Sequence, residues 1–349
     1  MKFLLENSRN QVGLKKVGAK MKKQQRCGVV STASALPEKV LTNHQLERMV
    51  DTDNHWIVSR TGIQERRIAQ EGLGASHYSM QASRKALEKA ALSPQELDLI
   101  IIATVTPDQP LPATANVIQD RLGAHKAAAF DLSAGCSGFV YGLSVGQQFI
   151  ETGMYRNVLV VGVDLLSRIV DWQDRSTCVL FGDGAGAVVL QPVEDNRGIL
   201  STSLGSVGSG ADMLQVPAGG ALMPPSEETV KNKLHYVKMN GNEVFKFAVR
   251  VVGEVTEELL AGADKKVNDL DMLLLHQANL RIMEAARKRL GITPSRTPTN
   301  IESYGNMSAA SIPVILDEVN QEGRLHKGDL VAMVAFGAGL SWGGALLRW

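Results

Sequence analysis

Scarcity narrows the possibilities for this 349-residue chain before any motif does. It has only three cysteines, Cys27, Cys136 and Cys178, scattered and odd in number. They form no disulfide framework, and a reducing, cytoplasmic setting is expected. No His lies near them at zinc-ligand spacing, so neither a metal site nor a cofactor is expected. Charge of one sign is also missing: 37 Lys+Arg face 36 Asp+Glu, which leaves no strong field to attract nucleic acid. No apolar run is long enough to span a membrane, and Met1-Lys2-Phe3-Leu4-Leu5 meets Glu6-Asn7-Ser8-Arg9 too soon for a signal peptide.

What remains is a compact soluble composition, 44% hydrophobic with 33 Gly, in a chain longer than one typical core. Residues 1–26 stand apart, carrying Lys15, Lys16, Lys20, Lys22, Lys23 and Arg26. They are expected to form a poorly ordered basic extension, since Met21 would open a tidy domain.

From Cys27 onward, strand and helix patterns alternate. Strands are expected at Gly28–Thr32, Leu97–Thr104 and Val158–Val163, and helices at Asn43–Val50 with Asn43 a cap, Tyr78–Ala91 and Val117–Leu122. Near-continuous apolar strands separated by helices imply a parallel or mixed sheet covered on both faces. The chain then repeats itself. Leu97–Ala103 matches Leu270–His276 at an offset of 173, and Gly135-Cys136-Ser137 is echoed by Gly305-Asn306-Met307 at 170. The run from Phe181 to Leu190 has a counterpart from Phe336 to Leu347. Two similar α/β halves, 27–194 and 195–349, are expected about a pseudo-twofold axis, linked by residues 191–197, with a site in the cleft between them.

The strongest local signal is Ala129-Phe130-Asp131-Leu132-Ser133-Ala134-Gly135-Cys136-Ser137-Gly138. A short apolar run ends in Gly-Cys, and Phe139, Val140, Leu143, Gly146 and Ile150 then recur at helical spacing. Cys136 is therefore expected to open a buried helix, where the dipole and unpaired N–H groups favour a thiolate nucleophile over an inert thiol. The other histidines sit in polar company, whereas His276 ends the apolar run Met272–Leu275 and precedes an amphipathic helix through Leu290. The C-terminal end of a strand is where open α/β sheets bind ligands. Asn306 follows Gly305 and, by the repeat, occupies the place in the second half that Cys136 holds in the first.

Cys, His and Asn in that order also occur in papain-like proteases, but the Trp beside the Cys and the disulfides of those enzymes are missing. Gly182-Asp183-Gly184-Ala185-Gly186 precedes a strand-like run rather than a helix, which excludes a dinucleotide-binding turn.

Seven blocks in order resemble β-ketoacyl-[acyl-carrier-protein] synthase III, the initiating condensing enzyme of the thiolase superfamily. They are residues 51–63, the Cys136 elbow, Phe181–Gly186, Gly241–Lys246, His276–Ile282, Gly305–Ser311 and Phe336–Gly339. The resemblance implies the thiolase fold, with two similar α-β-α-β-α halves in a cytoplasmic homodimer. It implies decarboxylative condensation of an acyl-CoA with malonyl-acyl-carrier-protein, with Cys136, His276 and Asn306 catalytic and the backbone N–H groups of Cys136 and Ala338 as oxyanion donors. It places Trp56 and Arg175 around the CoA adenine, with Arg60 and Asn279 nearby and Phe336 and Leu111 also at the substrate. Arg281 and Lys246 face the carrier protein. Thiolases proper use a second Cys, and elongating condensing enzymes two His, where this chain offers His276 and Asn306. Two positions depart from the family's commonest pattern: Ala338 stands where Gly is usual, and Leu111 where short-chain enzymes often carry Phe. A starter longer than acetyl is therefore expected. A condensing enzyme of secondary metabolism and a non-catalytic partner subunit are the alternatives, the latter disfavoured by Cys136.

Overall fold

The computed structural model describes residues 25–194 and 196–349, so residues 1–24 of the expected basic extension lie outside the described residues. Two mixed sheets carry the structure. The first holds β1 (Arg26–Ala35), β2 (Leu99–Ala103), β3 (Ala128–Leu132), β4 (Val158–Leu165) and β5 (Asp183–Val193), in the order β1-β5-β4-β2-β3. The second holds β6 (Gly198–Ser206), β7 (Met272–Leu275), β8 (Leu330–Gly337) and β9 (Ser341–Arg348), in the order β7-β8-β9-β6.

β1, β5 and β4 pair antiparallel, and β4, β2 and β3 parallel. In the second sheet β6, β9 and β8 pair antiparallel, and β8 and β7 parallel. The second sheet thus repeats the first without a counterpart of β3. The Leu97 and Leu270 runs are the equivalent strands β2 and β7. The third expected correspondence slips, because Phe336-Gly337 closes β8, and it is Ser341 at the start of β9 that answers to Asp183 at the start of β5.

The main helices are α1 (Asn54–Thr61), α2 (Ala75–Lys89), α3 (Thr114–Leu122), α4 (Gly138–Glu151), α5 (Gly241–Gly262), α6 (Leu280–Leu290) and α7 (Ser311–Gln321). α2 and α3 cover the outer face of the first sheet, α5 and α6 the outer side of the second, and α4 and α7 lie between the sheets. The five α-β-α-β-α layers therefore run through the whole molecule, with the middle layer shared by both halves, rather than being completed within each half. Alternation along the strands builds this: Leu99 and Ile101 of β2 and Met272 and Leu274 of β7 point into the shared core, while Ile100 and Ile102 and Leu273 and Leu275 point outward. A strand apolar on both faces is what two covered faces require.

Local expectations shift at their ends. The expected helix at Asn43 is one turn, Asn43–Leu46, capped by Thr42 in a capping box with Gln45. Asn43 is instead buried, its amide donating to Ile63 O (2.7 Å) and its oxygen accepting from Arg66 Nη1 (2.8 Å). α2 and α3 each begin three residues earlier than their apolar spacing suggests. Gln191–Val193 belong to β5 rather than to a link, because they pair with Arg26–Gly28.

Candidate active site

β3 ends at Leu132, and the chain makes a single 3-10 turn, Gly135–Ser137, before α4 starts at Gly138. Cys136 therefore sits in the turn and not in the α-helix. Gly135 takes φ +56°, a conformation open to glycine. Being second in the turn, the Cys136 N–H precedes the first intra-turn hydrogen bond.

The second half meets this turn backbone to backbone. A methyl group added at Gly337 would fall 2.5 Å from the Cys136 nitrogen, and one at Gly135 would fall 2.9 Å from the Ala338 nitrogen. Ala338 is not among the residues with positive φ, which fall at Gly339 instead (+139°). Alanine fits position 338 for that reason. The Ala338 N–H has no protein acceptor among the described residues.

His276 follows β7 and is 1% exposed. Its N–H bonds to Val334 O on β8 (2.9 Å), and its ring packs edge-on against Phe336, with centroids 5.4 Å apart. Phe336 is followed directly by Gly337, so the end of β8 touches His276 with one residue and Cys136 with the next. Burial pushes the imidazole pKa down to about 3, and Nδ1 is enclosed without a partner among the described residues. The ring is neutral and can donate a hydrogen bond without bringing a charge into the site.

Asn306 is 7% exposed and held from three sides: its N–H donates to Leu180 O, its carbonyl accepts from Gly182 N, and its Oδ1 accepts from Ser308 N (2.8 Å). Among the described residues its side-chain NH2 makes no protein hydrogen bond. Two residues on, Ser308 adopts φ +49°, and its hydroxyl opposes the rise that burial imposes on both the Cys136 thiol and the Asp164 carboxyl. The structure thus sets Phe336 against His276 and Gly337-Ala338 against Gly135-Cys136 at the ends of β3, β7 and β8, while Asn306 is tied to the segment before β5 and leads into the turn Ser308–Ala310, which packs on Gly135–Ser137.

Burial pushes the Cys136 thiol up to about 12, with Ser308 opposing and Asp164 adding to the rise. The expected lowering at a helix N-terminus is overturned, because desolvating a thiolate outweighs a few partial charges. Asp164 is a residue the sequence reading passed over. It is fully buried on β4, its Oδ1 accepting from Thr104 Oγ1, Val105 N and both N and Oγ1 of Thr106, and its Oδ2 from Ala309 N (3.1 Å). Burial pushes this carboxyl up despite those donors. An acid inside the apolar run Val158–Leu165 was the available signal. Ser137 and Ser341, whose hydroxyls meet beneath the turn at 2.9 Å, carried none.

The remaining expected residues form separate groups. Arg175 Cζ stacks 4.9 Å over the Trp56 ring while its Nη1 donates to Asp51 O (2.9 Å). The two side chains stack on each other, so an adenine between them requires Arg175 to leave this position. Asn279 caps α6 through Arg281 N and donates to Arg60 O (3.0 Å), which ties α1 to the segment following His276. Arg281 lies over the Phe245 ring at 5.7 Å, and Lys246 pairs with Glu243 at 2.7 Å. Leu111 is 84% exposed, apart from the Cys136 group.

Known proteins agree on one family. The description "3-Oxoacyl-[acyl-carrier-protein (ACP)] synthase III" matches residues 130–208, and its C-terminal counterpart matches residues 260–349. The chain is 57% identical over 322 residues to a β-ketoacyl-[acyl-carrier-protein] synthase III of Symbiobacterium thermophilum, covering 92% of this chain and 98% of the relative. Among solved structures, 3-oxoacyl-[acyl-carrier-protein] synthase III from Aquifex aeolicus superposes with a TM-score of 0.86 at 46% identity, covering 93% of this chain and 100% of that one. The priming β-ketosynthase of the R1128 polyketide pathway gives 0.87 at 35% identity, covering 95% and 98%.

Proposed function

The chain belongs to the β-ketoacyl-[acyl-carrier-protein] synthase III family, and from that premise we propose which of its residues carry the condensation. It is an acyltransferase of the thiolase fold that initiates fatty acid synthesis by condensing an acyl-CoA starter with malonyl-acyl-carrier-protein. The observation that supports the residue assignment is the meeting of the Gly135-Cys136 and Gly337-Ala338 backbones, with His276 against the adjoining Phe336 and Asn306 leading into the turn that packs on Gly135–Ser137.

In the first half-reaction the Cys136 sulfur forms a bond to the acyl carbon, the bond from that carbon to the CoA sulfur breaks, and CoA leaves with the thiol proton. Covalent capture splits one hard step into two easier ones. The carbonyl oxygen becomes an oxyanion facing the N–H groups of Cys136 and Ala338. In the second, the malonyl group loses CO2, and its enolate attacks acyl-Cys136. His276, neutral, and the free amide of Asn306 donate to the thioester oxygen on which that charge develops. The thiolate leaves and regains a proton.

Trp56, Arg60, Arg175 and Asn279 are assigned to CoA, and Arg281 and Lys246 to the carrier protein. We read the enzyme as a cytoplasmic homodimer in which the exposed Leu111 closes the partner's acyl site. The two halves are taken to divide at the turn between β5 and β6. No helix among the described residues is long and apolar enough to cross a membrane. Fatty acid synthesis is favoured over secondary metabolism by 57% identity against 35% for the polyketide enzyme. Mass spectrometry of the protein mixed with acyl-CoA tests the assignment: one acyl group should be added, and Cys136→Ser should remove it. Acyl label elsewhere in the chain would refute Cys136 as the nucleophile.

A further inference from the structure

Two buried hydroxyls sit where the halves touch beneath Cys136. Ser137 is 0% and Ser341 6% exposed, and their oxygens lie 2.9 Å apart. Ser137 Oγ is 2.6 Å from Ala134 O, and Ser341 Oγ is 2.9 Å from Ala338 O and 3.1 Å from Ala134 O. Two hydroxyls supply only two protons for these four contacts. If the contact between the oxygens is itself a hydrogen bond, the pair forms one of two chains: Ser341 to Ser137 to Ala134 O, or Ser137 to Ser341 to a carbonyl of Ala338 or Ala134. Either chain crosses from one half to the other. The carbonyls it grips are each one peptide away from a proposed oxyanion donor: Ala134 O precedes Gly135 and the Cys136 N–H, and Ala338 O follows the Ala338 N–H.

We propose that Ser137 and Ser341 are a pair of positioning residues, a hydroxyl latch that fixes the Cys136 and Ala338 N–H groups at the spacing the acyl oxyanion needs. This deepens the functional reading above and rests on it. The two donors come from different halves, so no single helix or strand sets their separation. Gly135 and Gly337 only allow the backbones to approach, and something must hold them there. An oxyanion donor acts through preorganisation, and a displacement of about 1 Å is enough to lose much of its effect.

The test compares two reactions of the same thiol. Acylation by the fastest of acetyl-, butyryl- and octanoyl-CoA develops an oxyanion, whereas alkylation by iodoacetamide does not. In Ser341→Ala and in Ser137→Ala, single-turnover acylation should fall by about tenfold to a hundredfold, less than removal of a donor outright, with alkylation within about twofold of wild type. The double variant should be little worse than the worse single one, because the two hydroxyls act as one unit. Ser341→Thr, which keeps the hydroxyl, should restore acylation. Unchanged acylation in both alanine variants, an equal fall in alkylation, or no rescue by Thr would each overturn the latch. A wild type that takes no acyl group on Cys136 refutes the functional reading, and the latch with it; a wild type that acylates beside variants that acylate equally well removes the latch alone.

Discussion

The two 3-10 turns that open α4 and α7 are the most instructive pair of regions in the molecule. Gly135–Ser137 precedes α4 and Ser308–Ala310 precedes α7, and each begins at positive φ, +56° at Gly135 and +49° at Ser308. Gly135 and Ser308 are 173 residues apart, the same offset as the strands β2 and β7. In the repeated scaffold Cys136 therefore answers to Ala309, and Asn306 lies in front of its turn rather than inside it. The first turn spends its reactive position on a thiol. The second holds a methyl there, uses the Ala309 N–H to bind Asp164, and has the side chain proposed to work in catalysis, Asn306, upstream. Duplicated backbone does not imply duplicated placement of function.

The connections to the last strand pair differ in the same spirit. β4 and β5 are joined by residues 166–182, which carry Arg175 to Trp56, whereas β8 and β9 are joined by Ala338–Leu340 alone. The short connection presses Ala338 against Gly135.

Mutations can break this comparison, and the largest effect belongs to the side chains proposed to meet the developing enolate charge. His276→Ala or Asn306→Ala should slow decarboxylation and condensation by about 10²–10³-fold, while acylation of Cys136 proceeds nearly as in wild type. Normal condensation by Asn306→Ala would remove it from the site. Next comes Gly135→Ala, which forces a Cβ into positive φ and against the Ala338 nitrogen. A loss of about 1–3 kcal/mol in unfolding free energy is expected, with slower acylation, read by denaturant titration and stopped-flow. Ser308→Gly, at the matching place, should relieve strain instead; a destabilisation equal to that of Gly135→Ala would mean the two turns are not equivalent.

The pH response separates the two halves more finely. With the Cys136 thiol raised by burial, the alkylation rate should still be climbing at pH 9, about tenfold per unit, and a plateau below pH 8 would contradict that. His276 works in the opposite sense. Its folded pKa is depressed from 6.5 to about 3, so the unfolded chain binds the proton first, and stability should decline as pH falls through that interval. His276→Gln should flatten the decline measured by denaturant unfolding. The smallest effect is expected at Leu111, where each additional buried CH2 of a starter contributes about 0.8 kcal/mol, roughly fourfold, if the space exists. Leu111→Phe should move preference towards acetyl-CoA in a starter panel; a wild type that already prefers acetyl-CoA tenfold over butyryl- and octanoyl-CoA refutes the idea.

Much of this was legible one segment at a time. The Gly-Cys-Ser elbow announced itself because an apolar run, a glycine and a helical period meet within fifteen residues. His276 did so because a buried strand ended on it. Asp164 was passed over although an acid in an apolar run marks a buried carboxyl, because the run does not say which distant donors, such as the Ala309 N–H, it will hold. The register of the repeat was misread by three residues because Gly135 and Ser308 look unlike in sequence and alike only in φ.

The sequence alone determined the buried strands β2, β4 and β7, the family and the proposed thiol, His and Asn, since all of these are written in local pattern and spacing. Only the tertiary structure decided that the five layers share a middle, that burial raises the thiol, and that two hydroxyls 204 residues apart meet under the nucleophile. The reason is physical. Desolvation and backbone-to-backbone approach depend on what the rest of the chain brings to a point, and no neighbour in sequence carries that information.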